Sequence, residues 1–377
     1  MPRVREQRGE DQAGLPRLGR FRRARMIAPV AAAAVALLAS ACGSATSATS
    51  ASSGSSSAGG SNSSAKVPLV LYAAEGYDTT VAAAFQKATG IPTSVYDAHT
   101  GIVVSKVEQE KNNPQWGVTW FDGDMAMSTL DQQGLLLKGW QPTAAWTAQG
   151  QQFLPADKSY VPTGYTIAAG ILYNSKAMPN PPTTWNQLLS PQYSSKLGIL
   201  NPAIDGPAYP WMAGWAAQMG GVPQMESYTS NLVRGGTKIY NAPADELNAI
   251  KQGTIDVAVA QSSYGIGVEE TNPTMKVAYP KYVTPVPSVL AIDAKASPAV
   301  QAEAKKFVEF VLSPAGQKAM QAGDPHGDSL FWPVLQGENP LPAVPSASSI
   351  PAKVINPVTW GAQENSVAQW FTSTFAG

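Results

Sequence analysis

Apolar and polar positions are distributed in three different ways along the chain, and each predicts a different kind of segment. Residues 26–41 are small and apolar, whereas residues 43–65 contain only Ser, Ala, Gly, Thr and Asn. From Lys66 on, short apolar runs alternate with stretches in which apolar side chains recur every three or four residues. The runs indicate strands and the stretches indicate helices. The chain is therefore predicted to fold from Lys66 onward.

Strand, turn and helix alternate with short connections at the start of this body. We predict strands over 67–72, 93–97 and 117–121, and helices over 81–88, from 100 and over 125–133. This order is typical of an α/β fold with parallel strands. In such folds ligands bind where the carboxyl ends of strands meet the amino ends of helices.

The same alternation continues through the rest of the body. Further strands are predicted over 165–173, 196–200, 237–240, 255–260 and 283–292. Helices are predicted from 184 and over 208–219, 244–252, 298–312 and 365–375. Residues 325–357 are rich in proline and are predicted to be irregular.

The first 41 residues have the pattern of an export signal. Arginines precede the apolar run that begins at Met26, which is the order of a secretory signal. The run ends at Leu38-Ala-Ser-Ala-Cys42, which resembles the lipobox of bacterial lipoproteins and implies acylation of Cys42, the one cysteine of the chain. We predict a signal peptide over 1–41, and a lipidated Cys42 with a flexible tether over 42–65.

Charge changes the picture once this leader is set aside. The whole chain is neutral, with 26 basic and 26 acidic residues. Without the eight arginines and three acids of residues 1–25, the body keeps 18 basic and 23 acidic groups, and Arg234 is its one arginine. Nucleic-acid binding is not expected, because phosphate neutralisation needs a basic surface. About 312 residues remain, which is the size of two domains.

Several stretches of the body resemble bacterial extracellular solute-binding proteins of ABC importers, the family with ferric-ion, aminoethylphosphonate, thiamine and polyamine receptors. The matching stretches are Leu69-Val-Leu-Tyr-Ala-Ala-Glu-Gly76, Trp120-Phe-Asp-Gly-Asp124, Tyr173-Asn-Ser-Lys-Ala-Met-Pro179 and Pro182-Thr-Thr-Trp-Asn-Gln-Leu-Leu189. The resemblance implies an α/β, two-lobed, type II periplasmic-binding-protein-like clamshell with a cleft between the lobes. Lobe 1 would comprise 66–163 and 284–377, and lobe 2 would comprise 164–283.

The resemblance also implies how such a protein works. A monomer held by its lipid anchor on the extracytoplasmic face of the cell membrane would capture a small solute and deliver it to ABC permease subunits. No cofactor and no resident metal are expected.

In this architecture the loops after strands line the cleft. The predicted ligand-binding residues are Glu75, Thr100, Gly101, Asp122, Asp124, Asp205, Gly206, Ser262, Ser263 and Tyr264. The start of a helix can hold a ligand oxygen on its free N–H groups. Thr100 and Asp205 could equally cap their own helices.

Acids outnumber arginine on these loops, and four aromatic residues could offer their faces to a cation: Trp120, Trp211, Tyr209 and Tyr264. We therefore expect a cationic or polyhydroxyl organic solute. A ferric-ion or phosphonate receptor of the same fold is the alternative. Ferric members use adjacent tyrosines, and here Tyr264 is followed by Gly265, so one of the pair is missing.

An enzyme is not expected. The sequence has no G-x-S-x-G or H-E-x-x-H motif, and its two histidines are scattered. Carboxylates after strands leave a surface hydrolase as the alternative of another class.

Overall fold

The computed structural model describes residues 66–375. The predicted signal peptide, Cys42 and the predicted tether lie outside the described residues. The first part of the fold runs β1 (Leu69–Ala74), α1 (Asp78–Thr89), β2 (Thr93–Asp97), α2 (Thr100–Gln109), β3 (Val118–Asp122), α3 (Asp124–Gln132), α4 (Ala148–Gln152) and β4 (Tyr160–Ile167).

The middle part contains five strands and five helices, with a 3₁₀ helix over Trp185–Leu189. Its elements are β5 (Gly170–Asn174), α5 (Pro191–Ser194), β6 (Leu197–Leu200), α6 (Ala208–Met219), α7 (Val222–Arg234), β7 (Lys238–Tyr240), α8 (Pro243–Lys251), β8 (Val257–Ala260), α9 (Ser262–Thr271) and β9 (Met275–Ala278).

The last part returns to the first sheet and ends in helices. Its elements are β10 (Pro285–Ile292), α10 (Pro298–Val311), α11 (Pro314–Gly323), α12 (Pro357–Gly361) and α13 (Glu364–Phe375), with a 3₁₀ turn at Ala347–Ser349. Most predicted elements are confirmed within a few residues. The sequence patterns did not predict β9 or the helices α4, α5, α7, α9, α11 and α12.

The strands form two five-stranded sheets, ordered β2-β1-β3-β10-β4 and β7-β6-β8-β5-β9. We call the first sheet with α1–α4, α10 and α11 lobe 1, and the second sheet with α5–α9 lobe 2. The predicted parallel pairing holds for β1 with β2 and β3, and for β6 with β7 and β8. It is wrong for β10 and β5, which run antiparallel to both of their neighbours.

The chain passes between the sheets at two places. The predicted strand over 165–173 is two strands in different sheets, separated by the buried Ala168 and Ala169. The lobe boundary predicted at 163/164 falls inside β4, which stays in the first sheet as far as Ile167. The second passage runs over 279–284, and the Ala168 amide donates to the Thr284 carbonyl at 2.9 Å. The two crossing segments therefore lie side by side.

Gly214 in α6 allows this helix to pack against the second crossing. A Cβ at Gly214 would lie 1.8 Å from the Thr284 Oγ1. Gly214→Ala should therefore lower the free energy of unfolding by about 1–3 kcal/mol in urea titrations, because overpacking forces the crossing to move. Adding Thr284→Ala should restore part of this loss. Gly101→Ala is the control, since its Cβ would meet nothing within 4 Å. Equal midpoints for Gly214→Ala and the unmodified chain would contradict the prediction.

Candidate binding site between the lobes

Three carboxylates meet at the carboxyl end of the first sheet. Glu75 follows β1, Asp122 ends the neighbouring strand β3, and the loop after α11 brings in Asp328. An Asp328 carboxylate oxygen accepts a hydrogen bond from the Gly76 amide at 2.8 Å. We call Glu75, Asp122 and Asp328 the acidic floor.

Neutral donors support Glu75. The Ser288 hydroxyl on β10 donates to the Glu75 Oε1. That hydroxyl accepts from the Trp120 Nε1 at 3.0 Å and from the Tyr77 hydroxyl at 3.2 Å. Glu75 itself is 3% exposed. A hydroxyl donor, not a cation, thus holds this carboxyl group, and an indole and a second hydroxyl in turn donate to that hydroxyl.

Burial and mutual repulsion disfavour charge on the floor. Burial raises the pKa of Glu75 well above its usual range, and the charges of Asp122 and Asp328 raise it further. Burial and then Asp328 raise the pKa of Asp122 to about 7, against a hydrogen bond from Gln261 that lowers it. Burial also raises the pKa of Asp328. A cation bound nearby would reverse these shifts.

The two lobes touch across this site. The Gln261 Nε2 of lobe 2 donates to the Asp122 Oδ2 at 2.5 Å and to the Thr166 Oγ1 at 2.9 Å. The Glu270 Oε2 of α9 lies 3.2 Å from the Nδ1 of His326, in the loop after α11. These contacts describe a closed cleft.

Glycines allow two further close approaches between the lobes. A Cβ at Gly267 of α9 would lie 1.8 Å from the His326 carbonyl oxygen. A Cβ at Gly206 would lie 2.8 Å from the Thr100 Oγ1. Any side chain at Gly267 would therefore require the backbone of the facing lobe to move.

Beside these contacts lies a cavity of about 720 Å³. Lobe 1 lines it with α2 and α3, lobe 2 with residues 202–206, and α13 forms a further side. The exposed apolar side chains Ile102 and Ile204 line it from opposite lobes. Lys106 also lines it, but its Nζ lies 2.6 Å from the Glu110 Oε1 and over the rings of Tyr72 and Tyr96.

The residues predicted from sequence fall into three groups. Gly101, Asp205 and Gly206 line the cavity, with Thr100 against Gly206. Glu75 and Asp122 belong to the acidic floor. The third group belongs neither to the cavity lining nor to the acidic floor: Asp124, Ser262, Ser263 and Tyr264.

The surroundings of these four residues differ. Asp124 is buried at the start of α3, and burial raises its pKa to about 7. The Ser262 hydroxyl accepts from the Ile167 amide at 2.9 Å. The Tyr264 hydroxyl donates to the Pro243 carbonyl at 3.0 Å within its own lobe. Ser263 is buried, and its hydroxyl has no hydrogen-bond partner among the described residues.

Asp205 lines the cavity just before α6. Its backbone carbonyl accepts from the Ala208 amide at 3.2 Å, and α6 begins without a side-chain cap. Burial raises the pKa of the Asp205 carboxyl group to about 6. Of the two alternatives considered from sequence, the position of Asp205 fits the cleft residue, and the hydrogen bonds give no support to the helix cap.

Three of the four aromatic faces expected for a cation are not available, and the fourth, Tyr264, is half-buried. Trp120, Tyr209 and Trp211 are each at most 2% exposed and belong to the hydrophobic core. Trp211 packs on Trp215 with ring centroids 4.5 Å apart. These three rings lie on buried faces of α6 and β3 and pack in the hydrophobic core, so they cannot contact a solute in the cavity.

Sequence patterns missed Gln261 and Asp328. Gln261 stands one residue before the predicted Ser262, and Asp328 lies in the proline-rich segment predicted to be irregular. The position of Gln261 directly after a strand could have drawn attention to it. No local pattern links Asp328 to a strand more than 200 residues earlier.

Residues 118–342 match the family of bacterial extracellular solute-binding proteins. The chain belongs to this family. It is a two-lobed, type II solute-binding component of an ABC importer, of an extracytoplasmic class whose members are binding proteins. A periplasmic protein of Salmonella typhimurium, provisionally named 2-aminoethylphosphonate-binding, is 26% identical over 243 residues, which are 62% of this chain and 68% of that protein.

Solved structures of binding proteins share the fold. Iron-bound HitA from Pseudomonas aeruginosa has a TM-score of 0.68 at 19% identity, over 81% of this chain and 99% of HitA. AfuA from Actinobacillus pleuropneumoniae, with fructose 6-phosphate, has a TM-score of 0.72 at 19% identity, over 82% of this chain and 99% of AfuA.

Within residues 66–375 no group of three or more His, Cys, Asp or Glu is placed to hold a metal ion. That region also holds no helix with the length and hydropathy of a membrane span.

The acidic floor makes the stability of this solute-binding protein depend on pH. The pKa of Asp122 is about 7 in the folded state, against an ordinary 3.8, so the folded state binds more protons between these values. Without a ligand, the free energy of unfolding should therefore fall as pH rises through that window. Asp122→Asn should gain at least ~1 kcal/mol relative to the unmodified chain between pH 5 and pH 8, measured by urea titration. The exposed Asp245→Asn is the control, and a difference that is flat with pH would refute the assignment.

Proposed function

We propose that this chain is a lipid-anchored receptor whose solute is a small organic compound with a positively charged amine. The observation that carries the proposal is the closure of two lobes over a cavity bounded by carboxylates. Asp205, Glu108 and Glu364 all line it. Its cationic Lys106 is already paired with Glu110.

Apolar surface favours an organic solute. Ile102 and Ile204 are 50% and 48% exposed, and both line the cavity, so a bound carbon skeleton could cover them. A cavity of about 720 Å³ is within the range of small-molecule sites. The cationic ring of thiamine, named for another protein of this fold, is of the proposed chemistry. The 2-aminoethylphosphonate named for the Salmonella relative shares the amine but also carries the anionic phosphonate of the alternative class.

Solute binding should close and stabilise the lobes. In thermal-shift and small-angle scattering experiments we test 2-aminoethylphosphonate, thiamine and spermidine, with fructose 6-phosphate and ferric citrate as the competing classes. We expect an amine to raise the Tm, because a ligand that binds only the folded state stabilises it. Gly267→Ala should enlarge the radius of gyration and weaken binding about tenfold, or about 1.4 kcal/mol.

Gly265→Ala is the matched control, since its Cβ would face the Val277 side chain within lobe 2. A response to ferric citrate alone would refute the organic cation. No response to any compound would count against the proposed solute class.

The anchor is tested separately. Cys42→Ser should move the chain from the membrane fraction to the soluble fraction and abolish the mass increase from acylation, because the acyl chains would be attached to this thiol. Ser44→Ala is the control. An unchanged membrane fraction with Cys42→Ser would contradict lipidation at this position.

A further inference from the structure

The last two helices of the chain connect the lobes. Gly361 of α12 packs closely on α3 of lobe 1, where a Cβ would lie 2.5 Å from the Met125 carbonyl oxygen. On the other side, the Tyr209 hydroxyl of α6 in lobe 2 donates to the Trp360 carbonyl. Both helices follow residue 342, where the match to the family ends.

One face of α13 is held in the core and another faces the cavity. Val367 and Phe371 are buried, at 1% and 0% exposure. Glu364, Asn365 and Ala368 line the cavity. These three positions form one stripe of the helix, because side chains three and four residues apart lie together.

We propose that α13 is the outer wall of the solute cavity and that Glu364 and Asn365 contact the solute. This inference rests on the proposed solute-binding role of the cavity. It adds a specificity element that lies beyond the residues matched to the family.

Charge determines which end of a solute would face this wall. Glu364 shares the cavity with Glu108 of α2 and Asp205, while Lys106 is held by Glu110. His99 also lines the cavity. Burial, and then the charge of Glu108, raise the pKa of Glu364 to about 7. An ammonium group between the two glutamates would relieve their repulsion, so the amine of the solute would point toward α13.

The test measures affinity for whichever amine of the panel binds the full chain. Ala368→Trp should fill the cavity and lower affinity at least about tenfold. Ala362→Trp, an exposed position between α12 and α13, should stay within about twofold. Glu364→Gln keeps the shape of the side chain. It should weaken binding at pH 8, and the difference from the unmodified chain should disappear near pH 6, where Glu364 is mostly protonated. A merely structural role would not give this pH dependence.

Unchanged affinity in both Ala368→Trp and Glu364→Gln, with a bound amine, would overturn the inference while leaving the proposed function intact. If no amine binds, the proposed solute class is refuted. The position of α13 against α2 is then tested by the stability of the chain without ligand. Glu364→Gln should then stabilise the chain more at pH 8 than at pH 5, because burial and then the charge of Glu108 raise the pKa of Glu364. In a chain that already carries Glu108→Gln, this difference between the two pH values should be smaller. An unchanged difference would contradict the approach of α13 to α2 across the cavity and overturn the inference.

Discussion

In the closed cleft Glu75 is buried and Asp122 and Asp328 are half-buried, and no cationic side chain within residues 66–375 pairs with this acidic floor. Glu75 is held by a hydroxyl and Asp122 by the amide of Gln261, so both lie among neutral donors. Neutral donors offset only part of the cost of burying charge. The closed cleft is therefore under electrostatic strain at neutral pH, and a positively charged solute would relieve it. Closure of the lobes and protonation of the acidic floor are therefore coupled.

This coupling depends on how the crossing segments are built. Ala168 and Ala169 link two buried strands without a polar residue between them, and Ala168 is bonded to Thr284 of the second crossing. Tyr282 in that second segment has φ 62, a conformation that L residues adopt at a cost. Its carbonyl accepts from the Gln218 side chain at 2.7 Å and from Trp185. Lobe 2 thus fixes the backbone where the chain returns to lobe 1, so a change in lobe angle would act directly on these bonds.

The parts of this structure that sequence predicts are those with local causes. The helix over 208–219 was predicted to the residue because its apolar face and the following glycine are adjacent in the chain. The break inside 165–173 was missed because a strand that leaves one buried sheet and a strand that enters another are both continuously apolar. Carboxylates after strands identified Glu75 and Asp122, since the end of a strand is visible in sequence. Asp328 and α13 reach the site from distant parts of the chain, and no periodicity encodes that approach.

The shortage of arginine and the position of α13 both agree with the proposed cationic solute and not with an anion. A receptor for an anion would gain most from a bidentate guanidinium in its cleft, but Arg234 lies exposed at the end of α7, bonded to Asn231. The cleft instead collects acids from six separate places: the ends of β1 and β3, helix α2, the loop before α6, the loop after α11, and the start of α13. Charges of one sign assembled from such distant segments repel one another unless a ligand of opposite sign joins them. The raised pKa values reduce this repulsion, so the lobes can close, and the proposed cationic solute would gain binding free energy from the same group of acids.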